Sequence, residues 1–196
     1  CQQERAAFQV VEEWVWAAVG RCMYPLDVWD HWQTVLLLRG TAFSGKSTLA
    51  KIISKLYEHE DVGVIASKME DTFGLQSMRT SLIAICFEVK QPFTLNQATF
   101  QSMASGEEVT IAVKNQDPVT KVWDLPMVFC TNEDVPYKDN CGAVSRRFFP
   151  VEFAEKVQRA DTGKMRKLEK EIPSIIRKSN LAYKEMAHLY GNDNIW

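Results

Sequence analysis

The sequence predicts an α/β fold built on a mainly parallel sheet with helices on both sides. Three observations lead there. A short apolar run, Thr34-Val35-Leu36-Leu37-Leu38, is followed by a glycine loop and then by Leu49, Ile52, Ile53, Leu56 and Tyr57, which share one face of a helix. Further apolar runs recur down the chain, in alternation with helical patterns. The first run is short and apolar, as suits a buried parallel strand.

Taken in order, Val11, Trp14, Val15, Ala18 and Val19 give a helical face over residues 4–19, and Asp27 to Trp32 is a turn-rich approach to the first strand. Val62 to Ala66 is the next strand, and Thr72 to Thr80 reads as a short helix. Ser81 to Val89 is a third apolar run, interrupted by an acid at Glu88. Leu95 to Ala104 reads as a helix. Glu107 to Val113 and Val119 to Trp123 alternate, and Asn115-Gln116-Asp117-Pro118 between them is turn chemistry, a β-hairpin signal. Pro126 to Asn132 and Phe148 to Phe153 are the last two strands. Beyond Ala154 the pattern is charged and helical; Pro173 resets it, and Tyr183, Met186, Ala187 and Tyr190 form a final apolar face.

Composition narrows the class. With 196 residues and 46% hydrophobic content, the chain is long enough for one domain with a proper core, with room for a small helical appendage. No apolar run approaches the roughly 20 residues that span a bilayer, so no membrane partner is expected. The chain starts at Cys1 rather than Met, which leads us to expect a piece of a longer polypeptide. Its five cysteines are scattered, without C-x-x-C pairs or metal-ligand spacing; Cys86 and Cys130 sit in apolar strands as small hydrophobes, and a reducing, intracellular compartment follows. The histidines His31, His59 and His188 do not cluster. A net charge of −2 supplies no global basic field, so any nucleic acid must be held by a few placed cations.

The glycine loop carries the chemistry. Gly40, Thr41, Ala42, Phe43, Ser44, Gly45, Lys46, Ser47 and Thr48 spell G-x-x-x-x-G-K-S, a phosphate-binding loop whose strand-before and helix-after context is present. Its glycines let the backbone fold so that successive N–H groups face the same oxygens. Lys46 then reaches the β- and γ-phosphates of ATP, the Ser47 hydroxyl ligates Mg²⁺, and the helix that follows presents its positive end.

Hydrolysis also needs a carboxylate near the γ-phosphate. Glu88, at the end of the apolar run Ile83 to Glu88, is the candidate for holding Mg²⁺ and orienting water. Asn132 ends the next buried strand, where an amide can contact the γ-phosphate or the attacking water. Arg146 and Arg147 precede the last strand and are candidates for a cation supplied to a neighbour's γ-phosphate. Lys114, with Asn115 beside it, lies near the hairpin tip; copies of it around a ring would converge on nucleic-acid backbone.

In this order the elements resemble the superfamily 3 helicases, the AAA+ ring motors of viruses, and within them the primase-helicase branch of poxviruses, other large DNA viruses and phages. The resemblance spans Trp29 to Phe153. Gly40 to Thr48 matches Walker A, Ile83 to Glu88 Walker B, Phe100 to Lys114 the pore-hairpin element, Met127 to Asn132 motif C, and Ser145-Arg146-Arg147 the arginine-finger segment. Counting back from Phe153 sets Arg147 ahead of Arg146 as the finger.

The resemblance implies a helical segment over 1–28, an AAA+ ATPase core over 29–153 with a pore β-hairpin, and a helical segment over 154–196. It also implies a homo-oligomeric ring, a hexamer, with ATP between subunits and single-stranded or forked DNA in the pore. A primase domain would lie on the same full-length polypeptide, and the setting would be a viral replication site in host cytoplasm or nucleus. Two departures stand out: Phe87 occupies a position where many members carry a second acid, and the hairpin element is poor in lysine. A small-molecule kinase with the same loop, and a nucleotide-binding assembly scaffold without fast hydrolysis, are the alternative readings.

Overall fold

The computed structural model describes residues 2–68, 74–139, 141–193 and 195, with side chains from residue 9 onward. Five strands form one parallel sheet in the order β2-β3-β6-β1-β7: β1 Val35–Gly40, β2 Val62–Val64, β3 Ile83–Cys86, β6 Met127–Thr131 and β7 Phe148–Phe153. In register, Leu37 sits between Phe129 of β6 and Pro150 of β7. Proline is tolerated there because β7 is an edge strand.

The sheet is covered on both faces. Successive residues of one strand enter opposite cores: Val35 and Leu37 join Ala84, Cys86, Met127 and Phe129 in one cluster, while Leu36 and Leu38 join Ile83, Ile85, Val128 and Cys130 in the other. This two-sided burial is why the strands read as unbroken apolar runs. Helix α2 (Lys46–Ser54) covers one face. On the other lies α3 (Gln97–Ala104), whose N-cap Asn96 accepts from the amides of Ala98 at 2.8 Å and Thr99 at 3.4 Å. Burial within the strands pushes the thiols of Cys86 and Cys130 up to about 12, leaving them neutral packing groups.

The predicted hairpin is present as β4 (Glu108–Ile111) and β5 (Val119–Val122), paired antiparallel. Its inner residues Val109, Ile111 and Trp123 are buried in the α3 core, and the Thr110 and Thr120 hydroxyls pair across its outer face at 3.0 Å. Three expectations need correction. Strand β3 stops at Cys86, so Val89 and Glu88 lie in the turn beyond it. Helix α2 stops at Ser54, leaving Leu56 and Tyr57 in the turn that follows, where the Tyr57 hydroxyl donates to the Cys22 carbonyl. The short helix expected over 72–80 is a single 3₁₀ turn, Gln76–Met78, and residues 72 and 73 lie outside the described ones.

The two helical flanks, distant in sequence, pack on each other. Helix α1 (Gln2–Arg21) crosses α5 (Ile172–Tyr190), which follows the short α4 (Lys164–Lys170). The crossing is tight at Gly20, where a Cβ would lie 2.0 Å from the Ser179 carbonyl oxygen. A buried polar knot ties the pair to the sheet. The Arg21 Nε donates to both Asp30 oxygens at 3.1 and 2.9 Å, its Nη1 donates to the Thr34 carbonyl at 2.8 Å, and the Tyr183 hydroxyl donates to Asp30. Arg21 is 8% and Asp30 3% exposed. Asp30→Ala would strand a buried guanidinium, so we expect a loss of about 3–5 kcal/mol in urea unfolding, with Asp30→Asn losing less because its amide oxygen still accepts from Tyr183.

Candidate nucleotide-binding site

The loop between β1 and α2 holds its shape by backbone demands that only glycine meets cheaply. Gly40 has φ 136°, and a Cβ on it would fall 2.2 Å from the Phe153 carbonyl oxygen. That approach lets the Thr41 amide donate to the same oxygen at 3.1 Å. Gly45, at φ 104°, stands at the N-cap of α2, and no side chain caps the helix. The first amides of α2 therefore face the cleft, as an anion would require.

Lys46 is 6% exposed and spans the loop. Its Nζ donates to the carbonyls of Gly40 at 2.8 Å and Thr41 at 2.5 Å and to the Ser44 hydroxyl at 3.3 Å. Burial lowers its pKa below the ordinary lysine value, opposed by the Cys130 and Glu88 groups nearby. The ammonium is thus held at the centre of the loop, where phosphate oxygens would bring opposite charge.

A cleft of about 360 Å³ opens at the C-terminal end of the sheet, where parallel α/β folds place their ligands. The loop forms one wall; Phe87 and Glu88 after β3, and Thr131 and Asn132 at the end of β6, form the other. Glu88 and Asn132 thus meet the loop although 42 or more residues separate each of them from Lys46 in the chain.

The turn that carries Glu88 is pinned. The Val89 amide donates to the Cys130 carbonyl at 2.7 Å, the Ser67 hydroxyl donates to the Glu88 carbonyl, and the Lys90 amide donates to the Ser67 hydroxyl at 2.9 Å. The Glu88 carboxylate is half-exposed and pairs with Lys90 Nζ at 2.8 Å. Beyond β6 the Thr131 hydroxyl donates to the Glu133 carbonyl at 2.6 Å, which fixes the turn after exposed Asn132. Arg39 bridges Asp134 at 2.5 Å and Glu152 at 2.7 Å, tying that turn to β7. Ser67, Lys90 and Arg39 were missed by sequence reasoning; Ser67 and Arg39 act on neighbours brought in by distant segments, Lys90 acts on Glu88 two residues before it, and no local motif marks them.

The remaining site candidates lie elsewhere. Strand β7 runs parallel to β1 with Phe148 beside Val35 and Phe153 beside Gly40. Phe148 is therefore about 17 Å along the sheet from Phe153 beside the loop, five residue steps of roughly 3.3 Å, and Arg146 and Arg147 precede it at that far end. The two arginines differ. Arg147 is 8% exposed and committed: its Nε and Nη2 donate to the Ser105 hydroxyl at 3.2 and 2.9 Å, and its Nη1 donates to the Ala143 carbonyl.

Burial, with Arg146 beside it, lowers the Arg147 pKa. Arg146 is exposed, on a turn held by Asp139, whose carboxylate accepts from the Ser145 amide at 2.7 Å. Hydrogen bonds from Ser145 bring the Asp139 pKa down to about 2. Lys114 and Asn115 are exposed at the hairpin tip; Asn115 takes φ 59°, and the Lys114 amide donates to Gln76 Oε1 at 3.0 Å.

The donor set fits a metal-bound triphosphate. Ser47 sits in the first turn of α2, across the cleft from Glu88. Among the described residues no three His, Cys, Asp or Glu side chains gather as a metal cage, so magnesium here would be held by phosphate oxygens, Ser47 and Glu88. No helix of the described residues is long and apolar enough to cross a membrane.

Fold and site together define a phosphate-loop domain on a five-stranded parallel sheet. The chain belongs to DUF5906, a family of unknown function, whose model matches residues 38–147. Two structures of the NrS-1 C-terminal region share the fold. One aligns at a TM-score of 0.57 and 17% identity over 79% of this chain and 37% of its own. The other aligns at 0.51 and 16% identity over 81% of this chain and 42% of its own.

A ligand-bound JCV helicase aligns at 0.48 and 17% identity over 90% of this chain and 53% of its own, a likeness too loose to carry weight. No curated protein matches the chain. The chain thus spans less than half the length of the NrS-1 regions it resembles.

Proposed function

We propose that this chain is the ATPase domain of a ring-forming, superfamily 3-type helicase that moves along single-stranded nucleic acid and unwinds duplex DNA during viral genome replication. The observation that carries the reading is the division of the parts. The phosphate loop, Glu88 and Asn132 share one cleft, while the arginines stand at the other end of the same sheet. Arg146 and Arg147 stand too far along the sheet to serve a triphosphate in their own cleft, which suits a guanidinium offered to a neighbouring subunit.

In this reading Lys46 and the α2 amides take the β- and γ-phosphates. Magnesium, when bound, neutralises phosphate oxygens. Glu88 accepts a proton from the attacking water, Asn132 positions that water or the γ-phosphate, and Arg146, the exposed member of the pair, is offered to the adjoining subunit. The hairpin carries Lys114 and Asn115 to the strand in the pore of the ring. A primase on the same polypeptide and a reducing, intracellular setting go with it.

The test is ATP turnover and DNA binding in the same preparation. Turnover should rise when single-stranded DNA is added. Lys114→Ala should weaken DNA binding and reduce the slope of log affinity against log salt by about 0.7 for each phosphate it no longer neutralises; an unchanged slope would remove the hairpin from the interface. A second reading, a nucleotide-dependent assembly scaffold with slow turnover, has two observations on its side: the Glu88 carboxylate is engaged by Lys90, and Phe87 stands where a second acid would assist it.

A further inference from the structure

Phe43 puts an aromatic ring in the loop that phosphate chemistry leaves unexplained. A phosphate cradle needs backbone N–H groups, Lys46 and Ser47, and asks nothing of the side chain at position 43. Yet an aromatic ring stands there 86% exposed. Its backbone has φ 59°, in the left-handed region that bulky residues avoid. Both features are unfavourable in the free domain: a large apolar ring faces water, and glycine would relax the turn.

The placement is also held firmly. The Phe43 carbonyl accepts from the Val157 amide at 2.9 Å, close to where Thr41 binds the Phe153 carbonyl. The segment after β7 thus clamps the loop from behind, and it brings Val157, itself 53% exposed, alongside Phe43. Phe43 is among the residues that line the nucleotide cleft.

We propose that Phe43 is the base platform of this site, its ring stacking on the nucleobase of the same nucleotide whose phosphates the loop holds. This rests on the nucleotide reading above and adds its selectivity. Continuity argues for the occupant: phosphates bound at Lys46 tether a flat, apolar base within reach of the same cleft wall. Every base has a π-face, so stacking accepts them all. It responds to ring area rather than to a hydrogen-bond pattern, so purine triphosphates bind more tightly than pyrimidine ones, and adenine and guanine are separated little.

Calorimetric titration with magnesium ATP and with magnesium tripolyphosphate tests the platform on wild type, Phe43→Gly and Phe43→Tyr. Glycine suits the left-handed turn, so Phe43→Gly should melt no lower than wild type. It should nevertheless bind ATP roughly 5- to 100-fold more weakly and bind tripolyphosphate as before, while Phe43→Tyr keeps wild-type affinity for both. Equal losses for ATP and tripolyphosphate, or undiminished ATP affinity in Phe43→Gly, would overturn the platform. Undiminished ATP affinity together with abolished self-association would assign the ring to an interface between copies instead. If wild type binds tripolyphosphate but not ATP, the platform fails while the phosphate site stands; if it binds neither, the nucleotide reading fails first.

Discussion

Arg146→Ala is expected to lower ATP turnover by about 10³- to 10⁵-fold, the range associated with a guanidinium that stabilises charge on a transferring phosphoryl group. Nucleotide affinity and thermal stability should barely change, because Arg146 is exposed and the cleft lies at the other end of the sheet. The neighbouring substitution should behave differently. Arg147→Ala removes a buried side chain and its donors to Ser105 and Ala143, so it should lower the melting temperature as well as any activity. A mixture of Arg146→Ala and Lys46→Ala protomers supplies the decisive measurement. One subunit then offers an intact loop and the other an intact arginine, and interfaces joining the two should recover part of the missing turnover. If no ratio of the two restores any rate, the site is not shared between subunits.

Glu88→Gln should leave nucleotide binding near wild type and slow hydrolysis by about 10²- to 10⁴-fold, the contribution of a positioned general base. The amide keeps the shape of the side chain but cannot take the proton from water. The turn itself should persist, because the hydrogen bonds that pin it run through the main chain of Glu88 and Val89 and through Ser67. Single-turnover measurement at saturating ATP separates the chemical step from binding. Equal, near-zero rates in wild type and variant, with DNA present and rings assembled, would favour the scaffold reading.

Much of this molecule is legible in the order of its residues, and the physical reason differs from element to element. Strands β1, β3 and β6 announce themselves because burial on both faces makes the runs Val35 to Leu38, Ile83 to Cys86 and Met127 to Cys130 wholly apolar. The hairpin does so because alternation and a turn at Asn115 to Pro118 are short-range signals. Glu88 is harder to place. Apolarity continues through Phe87 and Val89, so the run overstates the strand, whereas the regular pairing of β3 with β2 and β6 ends at Ile85 and Cys86 and the Val89 amide reaches the Cys130 carbonyl from the turn beyond. Likewise Leu56 and Tyr57 keep helical spacing beyond the point where α2 unwinds. An apolar residue packs against a core equally well from a helix and from the turn after it.

What the sequence by itself determined is the phosphate loop, because its residue types stand in one continuous run: glycine where φ is positive at 40 and 45, and lysine and serine where the next helix begins. What only the tertiary structure decided is which of two adjacent arginines is free, that Ser67 pins the turn carrying Glu88, and how the terminal helices close. Burial of Arg147 depends on Ser105, 42 positions away; the knot of Arg21, Asp30 and Tyr183 joins the two flanks across 153 positions. Such pairings arise from packing between distant segments, and no spacing along the chain encodes them.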